Sequence, residues 1–201
     1  RADAVQMEMA ARGIRCLAVA ISQGDSEDWQ LQGMLTFLDP PRKDSKTTIE
    51  NAKKLGVPVR MITGDHLLIA KETCNRLGLK GESTLGPADL PQTDKNGNAP
   101  DKNDPAPGKE SVTVGQLIEN ADAFAQVFPE HKYIIVDVLR QLGYKCGMTG
   151  DGVNDAPAMQ KADVGVCVQG GTDAARAAAD IVLTQEGLST IVDAIKIARE
   201  I

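Results

Sequence analysis

Residues Met148 to Pro157 read Met-Thr-Gly-Asp-Gly-Val-Asn-Asp-Ala-Pro. An apolar strand ends in Thr-Gly-Asp-Gly, and Asn-Asp then leads into a helix with a proline in its first turn. The Asp151 carboxylate is thereby exposed at a strand end, with Asn154 and Asp155 one turn away. Magnesium takes one or two carboxylates, several waters and a substrate phosphate, so this run suits a magnesium ion held beside a phosphoryl group. Asp151 is also an ordinary turn former, and Asp155 fits equally as the N-cap of the following helix. It can serve both ways, capping that helix and supporting the metal site from behind.

A second Thr-Gly-Asp, Thr63 to Asp65, ends another apolar strand. The Thr63 hydroxyl and the Gly64 amide can hold phosphate oxygens at a helix N-terminus, where the dipole favours anions. The plainer alternative makes Asp65 a cap for the helix His66 to Leu77. Lys132 follows Pro129-Glu130-His131 in the first turn of a helix, where a cation opposes the dipole. Neutralising a phosphoryl group or a carboxylate cluster would justify it there; a solvated lysine is the alternative. Arg15, amid Ile14, Cys16 and Leu17, is either functional or on the wet face of an edge strand. Arg42, after a double proline, can equally be a first-turn residue.

These residues need a scaffold, and the pattern supplies one. Arg1 to Ala11 reads as a helix closed by Gly13, followed by strands Ile14 to Ile21 and Leu31 to Leu38 around a polar turn, Gln23 to Asp28. After Asp39-Pro40-Pro41 the elements alternate: helix 42–55, strand 57–62, helix 66–77, helix 114–120, strand 124–128, helix 130–142, strand 145–148, a helix from Ala156, strand 164–168, an Ala-rich helix, strand 180–183 and a last helix from Leu188. Alternation of this kind predicts an α/β fold, a parallel sheet covered by helices on both faces. The stretch from Pro41 to Asp65 echoes that from Pro129 to Asp151: helix, Leu-Gly, strand, Thr-Gly-Asp. Ligands of such sheets bind outside the carboxyl ends of the strands, so both turns are expected to face one site. Lys80 to Glu110 breaks the rhythm with five of the ten prolines and few large apolar residues, and reads as a mobile insertion.

Composition removes other classes. The chain of 201 residues carries 22 basic and 28 acidic residues, a net charge of −6 without blocks of like charge. Nucleic acid is therefore not an expected partner. One Trp, two Tyr and three Phe offer no stacking platform for bases. The four cysteines stand singly and the two histidines apart, which argues against a zinc site or disulfide framework. No long apolar span is present, and the start at Arg1 reads as that of a soluble piece of something larger.

Asp39-Pro40-Pro41-Arg42, Met61-Ile62-Thr63-Gly64-Asp65, Pro129-Glu130-His131-Lys132 and the Met148–Pro157 run, in this order, resemble the P-type ATPases, cation pumps that form an aspartyl-phosphate. Asp65 to Thr73 and Thr172 to Thr184 look like the plasma-membrane proton pumps of plants, fungi and protists. The resemblance implies a haloacid-dehalogenase-like, Rossmann-like phosphorylation domain over 39–201, lacking its first strand, and a remnant of the nucleotide-binding domain over 1–38. It implies magnesium on Asp151 with Asn154 and Asp155 beside it, and the phosphoryl group on Thr63, Gly64 and Lys132. Arg15 would reach the phosphates of ATP, with Asp39, Arg42 and Asp65 near the nucleotide. The implied partners are ATP and the remainder of the pump: membrane, actuator and nucleotide-binding domains, at the plasma membrane with this part on the cytosolic side.

The family's nucleophile, the Asp of Asp-Lys-Thr-Gly-Thr, does not occur here. Asp94-Lys95-Asn96-Gly97-Asn98 lacks both threonines and a preceding apolar strand. The chain alone is therefore expected to be inactive. A free-standing phosphatase of the haloacid dehalogenase type would need an Asp-x-Asp at a strand end, and none occurs. A module that binds magnesium and phosphate without turnover stays open.

Overall fold

The computed structural model describes residues 2–22, 24 and 28–200. Most of the expected turn Gln23 to Asp28 lies outside them. Helix α1 (Ala2–Ala11) ends at Gly13, whose φ of 76° lies in the left-handed region glycine favours. Strands β1 (Arg15–Ile21) and β2 (Gln30–Phe37) form an antiparallel hairpin with Arg15 opposite Phe37. Arg76 donates to the Arg12 carbonyl, fastening this N-terminal part to the rest.

Two parallel sheets of three strands follow, where a single sheet was expected. One has the order β3 (Met61–Ile62), β7 (Ala123–Phe124), β4 (Thr84–Leu85); the other has β10 (Ile181–Val182), β9 (Val164–Cys167), β8 (Gly147–Gly150). Strands β3 and β8, which end in the two Thr-Gly-Asp turns, are both edge strands among the described residues. The connecting helices are α2 (Ser45–Lys54), α3 (Leu67–Leu77), α4 (Val114–Glu119), α5 (Pro129–Gln141), α6 (Ala156–Lys161), α7 (Asp173–Ala178) and α8 (Ser189–Glu200). No helix among the described residues is long and apolar enough to cross a membrane.

Helix α5 joins the two halves. Ile134, Ile135 and Val138 enter one core cluster with Phe124 and Ile118, while Val136 enters the other with Met148 and Met159. Ile62 of β3 packs against both clusters. A helix buried along two faces is not the single stripe through Ile135, Val138, Leu139 and Leu142 that the sequence suggests; Leu139 and Leu142 are only partly buried.

Local chemistry explains the boundaries. Helix α2 starts at Ser45, three residues later than expected, because Asp44 is its N-cap residue. The Asp44 carboxylate is turned away, accepting from the Leu188 and Ser189 amides at the start of α8. Helix α3 closes at Gly78, φ 67°, with Leu79 N–H bonded back to the Cys74 carbonyl, a Schellman closure. Thr113 and Gln116 form a reciprocal capping box on α4.

The segment 80–110 is corrected by its packing. It supplies β4 to the first sheet, a short hairpin of β5 (Pro105–Ala106) with β6 (Lys109–Thr113), and three core residues, Leu85, Leu90 and Ala106. Its carboxylates satisfy local amides, as Asp94 does for Asn96 and Asn98, and Gln141 of α5 binds Lys102 and Pro100. Few apolar residues suffice because each is inserted into an existing core. Leu90→Ala is accordingly expected to cost about 2–5 kcal/mol, read by urea denaturation, the range for a buried leucine; a change under ~0.5 kcal/mol, as at surface positions, would contradict this packing.

Candidate functional site

The two Thr-Gly-Asp turns leave the carboxyl ends of parallel strands, and the N-terminus of α5 stands between them in the network of hydrogen bonds. On one side, the Val127 N–H donates to the Thr63 carbonyl and the Gln126 N–H to the Asp65 carbonyl, while Thr63 N–H donates to Phe124. Gln126 accepts a left-handed backbone, φ 55°, to make this contact. On the other side, Lys132 Nζ donates to Asp155 Oδ1 at 2.6 Å.

Asp155 organises the second turn. It is buried, and its Oδ2 accepts from the amides of Asp151 and Gly152, both at 3.2 Å. The N-cap expectation is corrected: Asp155 does precede α6, but its side chain makes no bond to that helix and folds back over the turn through the 3-10 segment Val153–Asp155. A β-carbon on Gly150 would stand 2.4 Å from the Asp155 β-carbon, so the glycine before the aspartate is what lets this carboxylate close the loop. The Asp151 carbonyl accepts from Thr172 N–H at the start of α7. With its backbone fixed at both ends, Asp151 leaves its carboxylate exposed beside exposed Asn154.

The first turn differs. Thr63 Oγ1 donates to Asp65 Oδ2 and accepts the Asp65 amide, and Asp65 Oδ1 pairs with Arg15 at 2.5 Å. Asp65 is therefore not the cap of α3; His66 is, through Nδ1 accepting from Leu68 N–H. Gly64 is exposed. Arg15 is half-exposed on β1, an edge strand among the described residues, and its guanidinium bridges the hairpin to the turn. A cleft of about 470 Å³ lined by Arg15, Gly64, Asp65 and His66 opens beside this pair.

Asp39 and Arg42 are not brought to this cluster. Both are exposed, and among the described residues no hydrogen bond or ion pair ties either side chain to the two turns; the Arg42 carbonyl accepts from Ser45. Among the described residues, no group of three or more His, Cys, Asp or Glu converges as a closed metal cage. An open oxygen donor set, one exposed carboxylate and one amide oxygen beside a cation, still fits magnesium, which keeps waters and shares a phosphate. Chemically, the arrangement presents a hard-cation ligand and an ammonium-bound carboxylate at the end of β8, and a threonine–glycine turn at the end of β3 in the other sheet.

Sequence reasoning passed over Gly150, Thr172 and His131. The first was legible, since Thr-Gly-Asp occurs twice with glycine between; the Thr172 contact is a backbone bond and leaves no side-chain signal.

Residues 11–163 match the haloacid dehalogenase-like hydrolases. Over 193 residues the chain is 54% identical to the probable proton ATPase 1A of Leishmania donovani, an alignment covering 96% of this chain and 19% of that protein. It is 49% identical over 198 residues to the plasma membrane ATPase of Dunaliella bioculata, covering 97% and 17%, and 47% identical over 194 residues to that of Zygosaccharomyces rouxii, covering 96% and 20%. The chain thus spans about a fifth of the length of these relatives. In three dimensions it resembles a zinc-transporting PIB-type ATPase solved in the E2.Pi state, with a TM-score of 0.64 and 24% identity over 98% of this chain and 25% of that one, which establishes the shared fold.

Proposed function

The chain belongs to the haloacid dehalogenase-like hydrolases, and from that membership we propose that it supplies the magnesium- and phosphoryl-binding part of the phosphorylation domain of an ATP-driven, proton-exporting plasma-membrane pump. In this reading residues 39–201 belong to the phosphorylation domain and 1–38 to the nucleotide-binding domain. ATP donates its γ-phosphoryl group to an aspartate carboxylate, ADP leaves, and water later cleaves the acyl phosphate. That aspartate is supplied outside the Asp-Lys-Thr-Gly-Thr-free stretch of these 201 residues. The strand carrying it would pair with the free edges of β3 and β8, beside Ile62, which touches both cores.

The observation that carries the reading is the bonded path from Thr63 through Val127 and the first turn of α5 to Lys132, Asp155 and Asp151. Asp151 and Asn154 would hold magnesium, whose charge offsets that of the phosphoryl oxygens. Lys132 adds a cation held in place by Asp155, so little reorganisation is needed when charge develops. The Thr63 hydroxyl and Gly64 amide receive phosphoryl oxygens. Arg15 would leave Asp65 to meet the nucleotide, with Asp39 and Arg42 at the hinge between the domains.

Labelled phosphate from ATP is expected to enter a chain extended upstream through the nucleophile strand, in a magnesium-dependent, hydroxylamine-labile form, and not the 201-residue chain. Label in the short chain, or none in the long one, would refute the reading.

A further inference from the structure

His131 is buried, 4% exposed, immediately before Lys132. Its Nδ1 accepts the Phe128 N–H at 3.2 Å, so the neutral ring carries its hydrogen on Nε2. Phe128 is the hub of this corner. Its carbonyl accepts from the His131 and Lys132 amides, and its ring leans on the imidazole with centroids 5.5 Å apart. The residues just before it, Gln126 and Val127, are the ones bonded to the Thr63–Asp65 turn. One imidazole lone pair therefore fixes the start of α5 and, through it, the ammonium of Lys132 and the loop against the other turn.

We propose that His131 is a positioning residue for Lys132, holding the first turn of α5 while neutral and releasing it on protonation. The inference rests on the reading of Lys132 as a phosphoryl-binding residue. The proton occupies the Nδ1 lone pair, converts the acceptor into a second donor and sets it against the Phe128 N–H. Two donors then face each other across this part-buried contact and the Phe128 N–H loses its acceptor, so the turn must open.

Charged groups on the elements near α5 are engaged with other partners. Asp155 of the 3-10 segment faces Lys132, Asp65 of the β3–α3 turn faces Arg15, Lys161 of α6 pairs with Asp137, and Glu119 of α4 accepts from the Tyr144 hydroxyl. Burial pushes the His131 pKa down, and the neighbouring Glu130 only partly offsets it. The unfolded chain then binds the proton more readily than the folded one. The contribution to stability is fully present above about 6.5, the unfolded value, and is lost as pH falls through the lower folded value.

The test is an NMR titration of the 201-residue chain from pH 7.5 to 5, which has only two histidines to assign. The Phe128 amide and the Lys132 side chain are expected to shift with the midpoint of the His131 ring. Exchange of the Phe128 amide, corrected for its intrinsic pH dependence, should accelerate roughly threefold to tenfold, the loss of one hydrogen bond. In His131→Asn, which keeps an oxygen acceptor that does not titrate, these shifts should vanish; in His66→Asn they should persist. Phe128 and Lys132 unmoved while His131 titrates, or shifts that persist in His131→Asn, would overturn the proposal. Should that variant fail to fold, the coincidence of midpoints in the native chain decides alone. None of these readouts needs metal or ATP, so failure of the functional reading and failure of the His131 switch are told apart.

Discussion

Asp155→Ala is expected to lower the unfolding free energy by about 3–5 kcal/mol, the cost of breaking a buried ion pair from one side. In a chain of this size that is roughly 6–20 °C in Tm. The side chains of Lys132 and Asp155 are 16% and 10% exposed, so solvent cannot replace the lost partner. Three groups are abandoned at once: the Lys132 ammonium and the amides of Asp151 and Gly152. Lys132→Met should cost less, because Asp155 would retain both amide donors. Urea and thermal unfolding of the two variants measure this difference. Equal losses, or an Asp155→Ala protein within ~0.5 kcal/mol of the native one, as at surface positions, would show that the pair does not hold the turn.

Asp151→Ala should behave in the opposite way. Its carboxylate is exposed, and the bonds that place it run through its backbone, which alanine keeps. Stability should therefore change by less than ~0.5 kcal/mol, as at ordinary surface positions. Phosphoenzyme formation in the upstream-extended chain should fall by about 10²–10³ or more, the range for removing one preorganised charge-stabilising group. In the proposed reading two carboxylates four residues apart divide the work, one structural and one chemical. Comparable losses of stability in both variants would contradict that division.

Why these roles were only partly legible follows from the physics of each residue. The strand–Thr-Gly-Asp–helix pattern was readable because turn chemistry is local, and α4 and α5 lie within a residue or so of expectation for the same reason. Which acid binds what was not readable. Asp44, Asp65 and Asp155 each sit where a helix cap belongs, yet each turns its carboxylate to a partner distant in sequence: Leu188 and Ser189, Arg15, and Lys132. Tertiary partners outbid local caps, and sequence spacing carries no record of them. Strand lengths were less readable: β3 and β7 each keep two residues, where six and five were expected. Segment 80–110 misled because composition counts apolar residues without showing where Leu85 and Leu90 insert.

The most direct test is a magnesium titration of the 201-residue chain, followed through the backbone amides of Gly150 to Asp155 and the Lys132 side chain. The expected result is a saturable response confined to those groups and abolished in Asp151→Ala, whose remaining spectrum stays that of the folded chain. A response that survives Asp151→Ala undiminished, or no saturable response in the native chain, would contradict the assignment of this turn as the magnesium- and phosphoryl-binding wall of the site.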